Sequence, residues 1–343
     1  MRARTIAASL VLATAPAWAV SCGDQDGTEP ESSRDAFERE LESLAGVSDA
    51  RVDREAFDTD YWGEVIVVDM EVGTSAGEVT SVLDAFKERQ KGQDGAPQDA
   101  HVTVGAGTTE TSVDEYGVDA PPMAFPALKK AGNARVARLF VAGIAAFPGA
   151  AVHTTFSGWS VGTRVEGDDP RPEVDRMIAT VRNDDLLARS RTVDLFAVAG
   201  DGAGERRIQV SAFDTVEDPA LLGAWKSVRS HLDISELRSL WLSPEWIEAH
   251  LRNGEGVTPR TLTTARYGDA LWPLIHGLLD GLTVLPPSSE LTVVNEWKYE
   301  GSGEESGYRE DRFLRILPGR QPAEDAKGRT WNADAADYLA AQR

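Results

Sequence analysis

The chain is poor in the residues from which many enzyme sites are built. One cysteine and five histidines occur in 343 residues. A single thiol cannot close an internal disulfide, and it cannot build a thiolate zinc site, which takes several sulfur ligands. No two histidines stand four residues apart and there is no H-E-x-x-H, so the helical zinc motif is excluded as well. Positive charge is also scarce. The 35 Lys and Arg face 56 Asp and Glu, for a net charge of −21, which repels nucleic acid and anionic lipid headgroups alike. No uncharged apolar run reaches the about 20 residues that span a bilayer. Phosphate loops are missing too, because Gly200-Asp201-Gly202-Ala203-Gly204 fits neither G-x-G-x-x-G nor the P-loop and leads into a strand pattern.

The amino end is informative by contrast. Arg2 and Arg4 precede the uncharged stretch TIAASLVLATAPAWAV (5–20), whose apolar part is short and is interrupted by Pro16. Positive front, short apolar core and small residues behind make a secretory signal. Two processing sites compete. Ala17-Trp18-Ala19 is an A-x-A site that would release a chain beginning at Val20. Ala19-Val20-Ser21-Cys22 resembles the lipobox of bacterial lipoproteins, with Ala19 standing where Leu is commoner. That resemblance implies a diacylglycerol on Cys22, cleavage after Ser21, and a lipid-anchored protein on the extracytoplasmic face of the plasma membrane. Two or more acyl chains hold far better than one. A polar stretch, residues 22–33, then suits a flexible tether.

Beyond the tether the periodicity predicts alternating helices and short strands. Phe37, Leu41 and Leu44 recur at helical spacing before Gly46, and 47–53 and 61–73 are extended. Ser75 and Glu78 form a capping box ahead of the stripe Val79, Val82, Leu83 and Phe86. The segment 133–152 is helical as far as Phe147-Pro148-Gly149, Pro172 opens a helix, and Asp201–Gly204 marks a hairpin. Further on, Asp218-Pro219 starts a helix lined by Leu221, Leu222, Trp225 and Val228. A kink is expected at Pro273 within a helix over 269–282, a short helix at WIEAHLRN, a strand at TPRTLTTARY, and a terminal helix at DAADYLAAQR.

This pattern predicts an α+β fold with units at 34–116, 125–216 and 217–320 and a tail at 321–343. With Leu41, Leu44, Gly46 and Val47 as L-x-x-L-x-G-V, it resembles tandem ferredoxin-like units, as in BON-like and heavy-metal-associated-like domains. The resemblance implies two to three α/β sandwich units, mostly antiparallel sheets with helices on one face. Heavy-metal-associated domains bind metal through paired cysteines, absent here, so no metal is expected. BON-like domains imply envelope association, an analogy at the level of fold.

The sharpest catalytic candidate is Gly158-Trp159-Ser160-Val161-Gly162, a literal G-x-S-x-G. In α/β-hydrolases that motif places the nucleophile on a strained turn between a strand and a helix. A strand pattern precedes Ser160, but TRVEGDDPRP after it is not helical, and a strand bent at its glycines is the competing reading. His231, His250 and His276 follow in the chain as candidate bases. His276, among Leu274, Ile275, Leu278 and Leu279, reads as a core-edge residue, and Glu248-Ala249-His250 lacks a further ligand for metal. Asp24-Gln25-Asp26-Gly27 begins like a calcium loop but has Asp35 where the bidentate Glu belongs. Asp168-Asp169 and Glu304-Glu305 read as solvated loop charge. Among the tryptophans, Trp225 reads as core, whereas Trp62 and Trp159, each beside a glycine, could line a groove for glycan or peptide.

The expectation is therefore a lipid-anchored, non-enzymatic envelope binding module with no cofactor and no nucleic acid, whose partner is an envelope protein or glycan. The alternatives are an exported serine hydrolase using Ser160 and the solute-binding lipoprotein of a transporter.

Overall fold

The computed structural model describes residues 33–58, 61–91, 99–104, 124–126, 130–154, 158–200, 205–213, 215–252, 271–300, 306–323 and 331–342. Among these, one small motif recurs six times: a helix followed by an antiparallel hairpin. The first two copies are α1 (Ser33–Glu42) with β1 (Val47–Asp58) and β2 (Tyr61–Met70), then α2 (Ala76–Arg89) with β3 (Asp99–Val104) and β4 (Ala124–Pro126). The next two are α3 (Lys130–Ala146) with β5 (Ala151–Thr154) and β6 (Trp159–Val165), then α4 (Arg171–Arg182), the single turn α5 (Asp185–Ala188), β7 (Thr192–Ala199) and β8 (Arg206–Phe213). The last two are α6 (Pro219–His231) with β9 (Leu237–Leu242) and β10 (Trp246–Arg252), then α7 (Trp272–Val284) with β11 (Glu290–Glu300) and β12 (Ser306–Leu317). A two-residue β13 (Gln321–Pro322) and α8 (Asn332–Ala341) end the chain.

Strands lie side by side in chain order, β1 to β4 in one sheet and β5 to β13 in another. Within each hairpin the pairing is antiparallel. The helix-linked neighbours β2–β3, β6–β7, β8–β9 and β10–β11 pair in parallel. The α+β class is as expected, whereas both sheets are mixed, with antiparallel hairpins joined by parallel pairs. The separate ferredoxin-like sandwiches are not formed. A split βαβ sets another strand between its parallel partners, whereas here those partners are adjacent, and the parallel β8–β9 contact fuses two expected units into one nine-stranded sheet.

The local chemistry follows the sequence closely. Ser75 accepts the Glu78 amide while Glu78 accepts the Ser75 amide, and Val79, Val82, Leu83 and Phe86 are the buried face of α2. These amide contacts hold the Glu78 carboxyl below its ordinary range. Two expectations need correction. Pro273 starts α7 instead of kinking it, because the first helical turn has no amide bond for proline to lose. WIEAHLR is strand β10: Ile247, Ala249 and Leu251 alternate as its buried face. The TPRTLTTARY strand lies outside the described residues.

The helices of the larger sheet pack on one of its faces and against one another. Three of the four helices that link parallel strands, α2, α4 and α7, carry an aspartate bonded to the next helix in the row; α6 has none. Asp84 of α2 accepts from Asn133 of α3 at 2.8 Å. Asp175 of α4 accepts from the Trp225 indole of α6 at 2.8 Å and pairs with Arg229 at 2.6 Å. Asp280 of α7 accepts from the Tyr338 hydroxyl of α8 at 2.6 Å. The terminal helix thus occupies the place of a seventh motif. Because α4, α6 and α7 share a face while β8–β9 runs opposite to β6–β7 and β10–β11, the α6 crossover has the opposite hand to its neighbours. Right-handedness is the strong default for such connections, so one of the two hands is a departure that packing must hold.

The packing is correspondingly close. A Cβ added at Gly281 of α7 would meet Val228 at 2.6 Å and the Ala224 carbonyl at 3.3 Å, and one at Gly277 would meet His231 at 2.5 Å. The outer strands are blocked in similar ways. At β1 the Val52 amide donates to Glu38 of α1 at 2.7 Å, and at β12 the Arg315 amide donates to Asn332 of α8 at 2.7 Å. Unpaired strand edges invite association, and these side chains occupy backbone groups that would otherwise be open.

Gly281→Ala is expected to cost about 1–3 kcal/mol by overpacking. Gly77→Ala, in α2 where a Cβ meets nothing nearer than 3.7 Å, should instead gain about 0.5–1 kcal/mol from helix propensity. Urea unfolding of both variants checks the contrast. The hydroxyl of Tyr338 is pushed up to about 12 by burial and by its bond to Asp280. The folded state therefore favours the neutral phenol, so this contribution is whole below the ordinary value of 10 and is lost as pH rises from there through about 12. Tyr338→Phe should lower stability at pH 8 by roughly 1–2 kcal/mol and flatten its decline in alkali, as read by unfolding at stepped pH.

Candidate functional site: the helix-free sheet face

Residues of the nine-stranded sheet alternate between a helix-covered face and an opposite one. Toward the helices point Trp159, Val161, Val193, Leu195, Ile208, Val210, Leu240, Ile247 and Leu291, all essentially buried. The strand register places three rows on the other face. The first row runs Ser160, Asp194 and Ser211, and continues at Trp246 and Glu290. The second runs Gly162, Phe196, Gln209, Trp241, Glu248, Thr292 and Arg315. The third holds Arg164, Val198, Arg207, Ser239, His250, Val294 and Arg312. Phe213, opposite Thr192, stands beyond the first row.

A chain of hydrogen bonds runs down β8 on this face. Arg207 donates to Gln209 at 3.1 Å and Gln209 to Ser211 at 3.2 Å. Ser211 donates to Asp194 through a short contact. Donors therefore point one way and end at a carboxylate. The Arg207 guanidinium lies over the Phe196 ring at 4.6 Å, and burial draws its pKa downward. Trp241 meets His250 edge-on at 5.1 Å, and the His250 ring nitrogen lies 2.7 Å from Glu248. Glu290 pairs with Arg315 at 2.6 Å, which holds the carboxylate below its usual range. Phe213 and Trp246 pack with ring centroids 5.9 Å apart, and Trp246 is 39% exposed. Large aromatics left in water at a sheet surface are characteristic of surfaces that meet a partner.

Ser160 lies within β6, a regular strand, and the next helix begins only at Arg171. No strand-to-helix elbow is formed there. Both motif glycines have another role. A Cβ at Gly162 would strike the Phe196 ring at 2.1 Å, and one at Gly158 would strike the Thr192 carbonyl at 2.3 Å. They let β7 and its aromatic ring approach the strand closely. The register sets His153 opposite Ser160 on one side and Asp194 opposite it on the other. A catalytic relay needs histidine between serine and carboxylate, and here serine is the middle member. The later histidines lie elsewhere. His231 is on α6 and His250 is held by Glu248. His276 stacks on Tyr338 at 4.2 Å, its pKa lowered by burial.

Trp159 is 2% exposed on the helix side, against Phe147, and so lines no groove. Trp62 belongs to β2, but its side chain lies outside the described residues, as do Cys22, Asp24–Gly27, Asp201–Gly204 and Glu304-Glu305. Trp225 is core, as expected. Asp169 is held by Arg171 at 2.8 Å and Asp168 by Arg206 at 3.2 Å, so that pair of charges is engaged. An open groove of about 380 Å³ lies beside β6, with Arg164, Glu173 and Arg176 in its wall. Its charges are spent on neighbours, Arg164 on Glu205 and Arg176 on Glu173. Among the described residues no group of three His, Cys, Asp or Glu could hold a metal, and no helix is long and apolar enough to cross a membrane.

Sequence reasoning passed over Trp241, Trp246 and Phe213. The signal was present, since Trp246, Glu248 and His250 alternate with the buried Ile247, Ala249 and Leu251. No family model, curated protein or solved structure matches the chain. A fluorophosphonate probe is expected to leave the folded protein unlabelled, and covalent labelling of Ser160 would restore the hydrolase reading. Gly162→Ala should cost about 1–3 kcal/mol by displacing Phe196, measured by urea unfolding.

Proposed function

We propose that this chain is an extracytoplasmic lipoprotein, held to the plasma membrane by a diacylglycerol on Cys22, that acts as a non-enzymatic envelope binding module. The helix-free face of the nine-stranded sheet receives an envelope protein or glycan. The observation that carries this reading is the placement of Trp246, Phe213 and Trp241 on a face that no described helix packs against. The address rests on residues 2–22: positive front, short apolar core and small residues ahead of a lone cysteine. With a net charge of −21 over the whole chain, the protein gains nothing from anionic headgroups, so attachment falls to the acyl chains. A likeness of each pair of motifs to BON-like domains belongs to the same proposal. It is supported by the order helix, hairpin, helix, strand in residues 33–104.

Expressed in a bacterium with the lipoprotein pathway, the chain should sediment with membranes and carry the mass of a diacylglyceryl-modified Cys22 terminus. Cys22→Ala should appear in the soluble fraction. An unmodified terminus at Val20 in the wild type would overturn the anchor. For the binding face, envelope material retained by the wild type should be lost from a Trp241→Ala, Trp246→Ala double variant of unchanged circular dichroism, and equal retention would overturn it.

A further inference from the structure

We infer that the seat of the terminal helix α8 is a pH-sensitive latch, which holds while the His276 ring is neutral and loosens when that ring takes up a proton. Side chains of α7 and of the sheet edge dock α8. Trp331, at its amino end, meets Trp272 of α7 edge-on at 5.6 Å, and Tyr338 stacks on His276 at 4.2 Å. The Tyr338 hydroxyl donates to Asp280 at 2.6 Å. At the sheet edge Asn332 accepts the Arg315 amide of β12 at 2.7 Å and donates to the Ala323 carbonyl at 2.9 Å. Trp331, Ala335 and Leu339 are buried. His276 lies within this seat, with the Tyr338 ring on one side and the Trp272 ring at 4.9 Å.

A charge on that ring is opposed in two ways. Its Nε2 atom is shut off from solvent, so the cation forfeits hydration. The next residue, Gly277, lies so close to α6 that an added Cβ would meet His231 at 2.5 Å, which sets a second imidazole beside the first. Two groups favour the cation, the Asp280 carboxylate one turn along α7 and the ring face of Tyr338. The titratable groups facing His276 are thus His231 from α6, Asp280 from α7 and Tyr338 from α8. Burial prevails and lowers the His276 pKa, Asp280 raising it and His231 lowering it further. With α8 undocked, the stacked ring is gone and His276 is open to water. Asp280, released by the Tyr338 hydroxyl, is then free to pair with a charged ring four residues before it. The undocked state therefore binds the proton more tightly. The contribution of His276 to docking is whole above the ordinary value of 6.5 and is lost as pH falls from there through the lowered folded value. Release of α8 also frees the Arg315 amide, so acid opens part of the β12 edge.

The test is amide hydrogen exchange of the full chain, read by mass spectrometry of α8 and α4 peptides and corrected for the intrinsic effect of pH on exchange. Between about pH 7.5 and about pH 5, the opening of α8 is expected to rise about threefold to tenfold more than that of α4. His276→Phe keeps an aromatic ring against Tyr338 but takes up no proton, and should cut that excess to less than about twofold. An equal rise in α8 and α4 would show general acid weakening and would overturn the latch. So would an undiminished excess in His276→Phe. If His276→Phe leaves α8 open even at neutral pH, NMR titration of the wild-type His276 ring, with histidine selectively labelled, decides the matter. A midpoint below the ordinary 6.5 supports the latch, and one at or above it would overturn it.

Discussion

Crowding of helices onto one side of a sheet is the constraint from which the rest of this molecule follows. Each motif turns a helix into a hairpin and then repeats, so strands add to the sheet in chain order. The parallel pairs that the helices link run alternately up and down. Helices held on a common face must then cross with alternating hand, against the usual preference. Two features make that arrangement tolerable. Glycines at 277 and 281 let α6 and α7 approach at distances no Cβ would permit. Aspartates 84, 175 and 280 give α2, α4 and α7 a charged hydrogen bond to the next helix, a bond worth roughly 1.5–3 kcal/mol when partly shielded from water.

The opposite face carries no described helix, and its composition differs accordingly. A sheet side without helices needs side chains that tolerate water yet satisfy one another, and the β8 ladder Arg207, Gln209, Ser211 to Asp194 does this along a single strand. Aromatic rings on such a surface need a further reason. Phe196 has one, since it fills the hollow above Gly162 and is covered by Arg207. Trp246 lacks such cover and stays 39% exposed.

Local structure was largely legible in the sequence. The capping box at Ser75, the stripe of α2 and the antiparallel pairing of β7 with β8 follow from short-range spacing, and short-range forces settle them. What was not legible depends on partners distant in the chain. Whether β8 pairs with β9 is decided by how α6 seats between α4 and α7, and nothing within residues 205–242 announces it. The seven residues of β10 combine a strand alternation with apolar spacing that a helix could also use. Its neighbours β9 and β11 decide the matter. The open face was therefore hidden in the sequence, because recognising it requires knowing that Trp241 and Trp246 share a side.

The G-x-S-x-G segment shows why a motif carries chemistry only in its own geometry. Its glycines would serve a nucleophile elbow by letting backbone pass close to a tight turn. In β6 the same lack of a Cβ serves close approach of another kind, with Phe196 over one glycine and the Thr192 carbonyl beside the other. The spacing of two then follows from strand periodicity: residues 158, 160 and 162 point to one side, and β7 offers Thr192, Asp194 and Phe196 along that side. The serine between the glycines is left on an open surface beside an aspartate. Among the described side chains no imidazole stands between that serine and Asp194, as a catalytic relay would require.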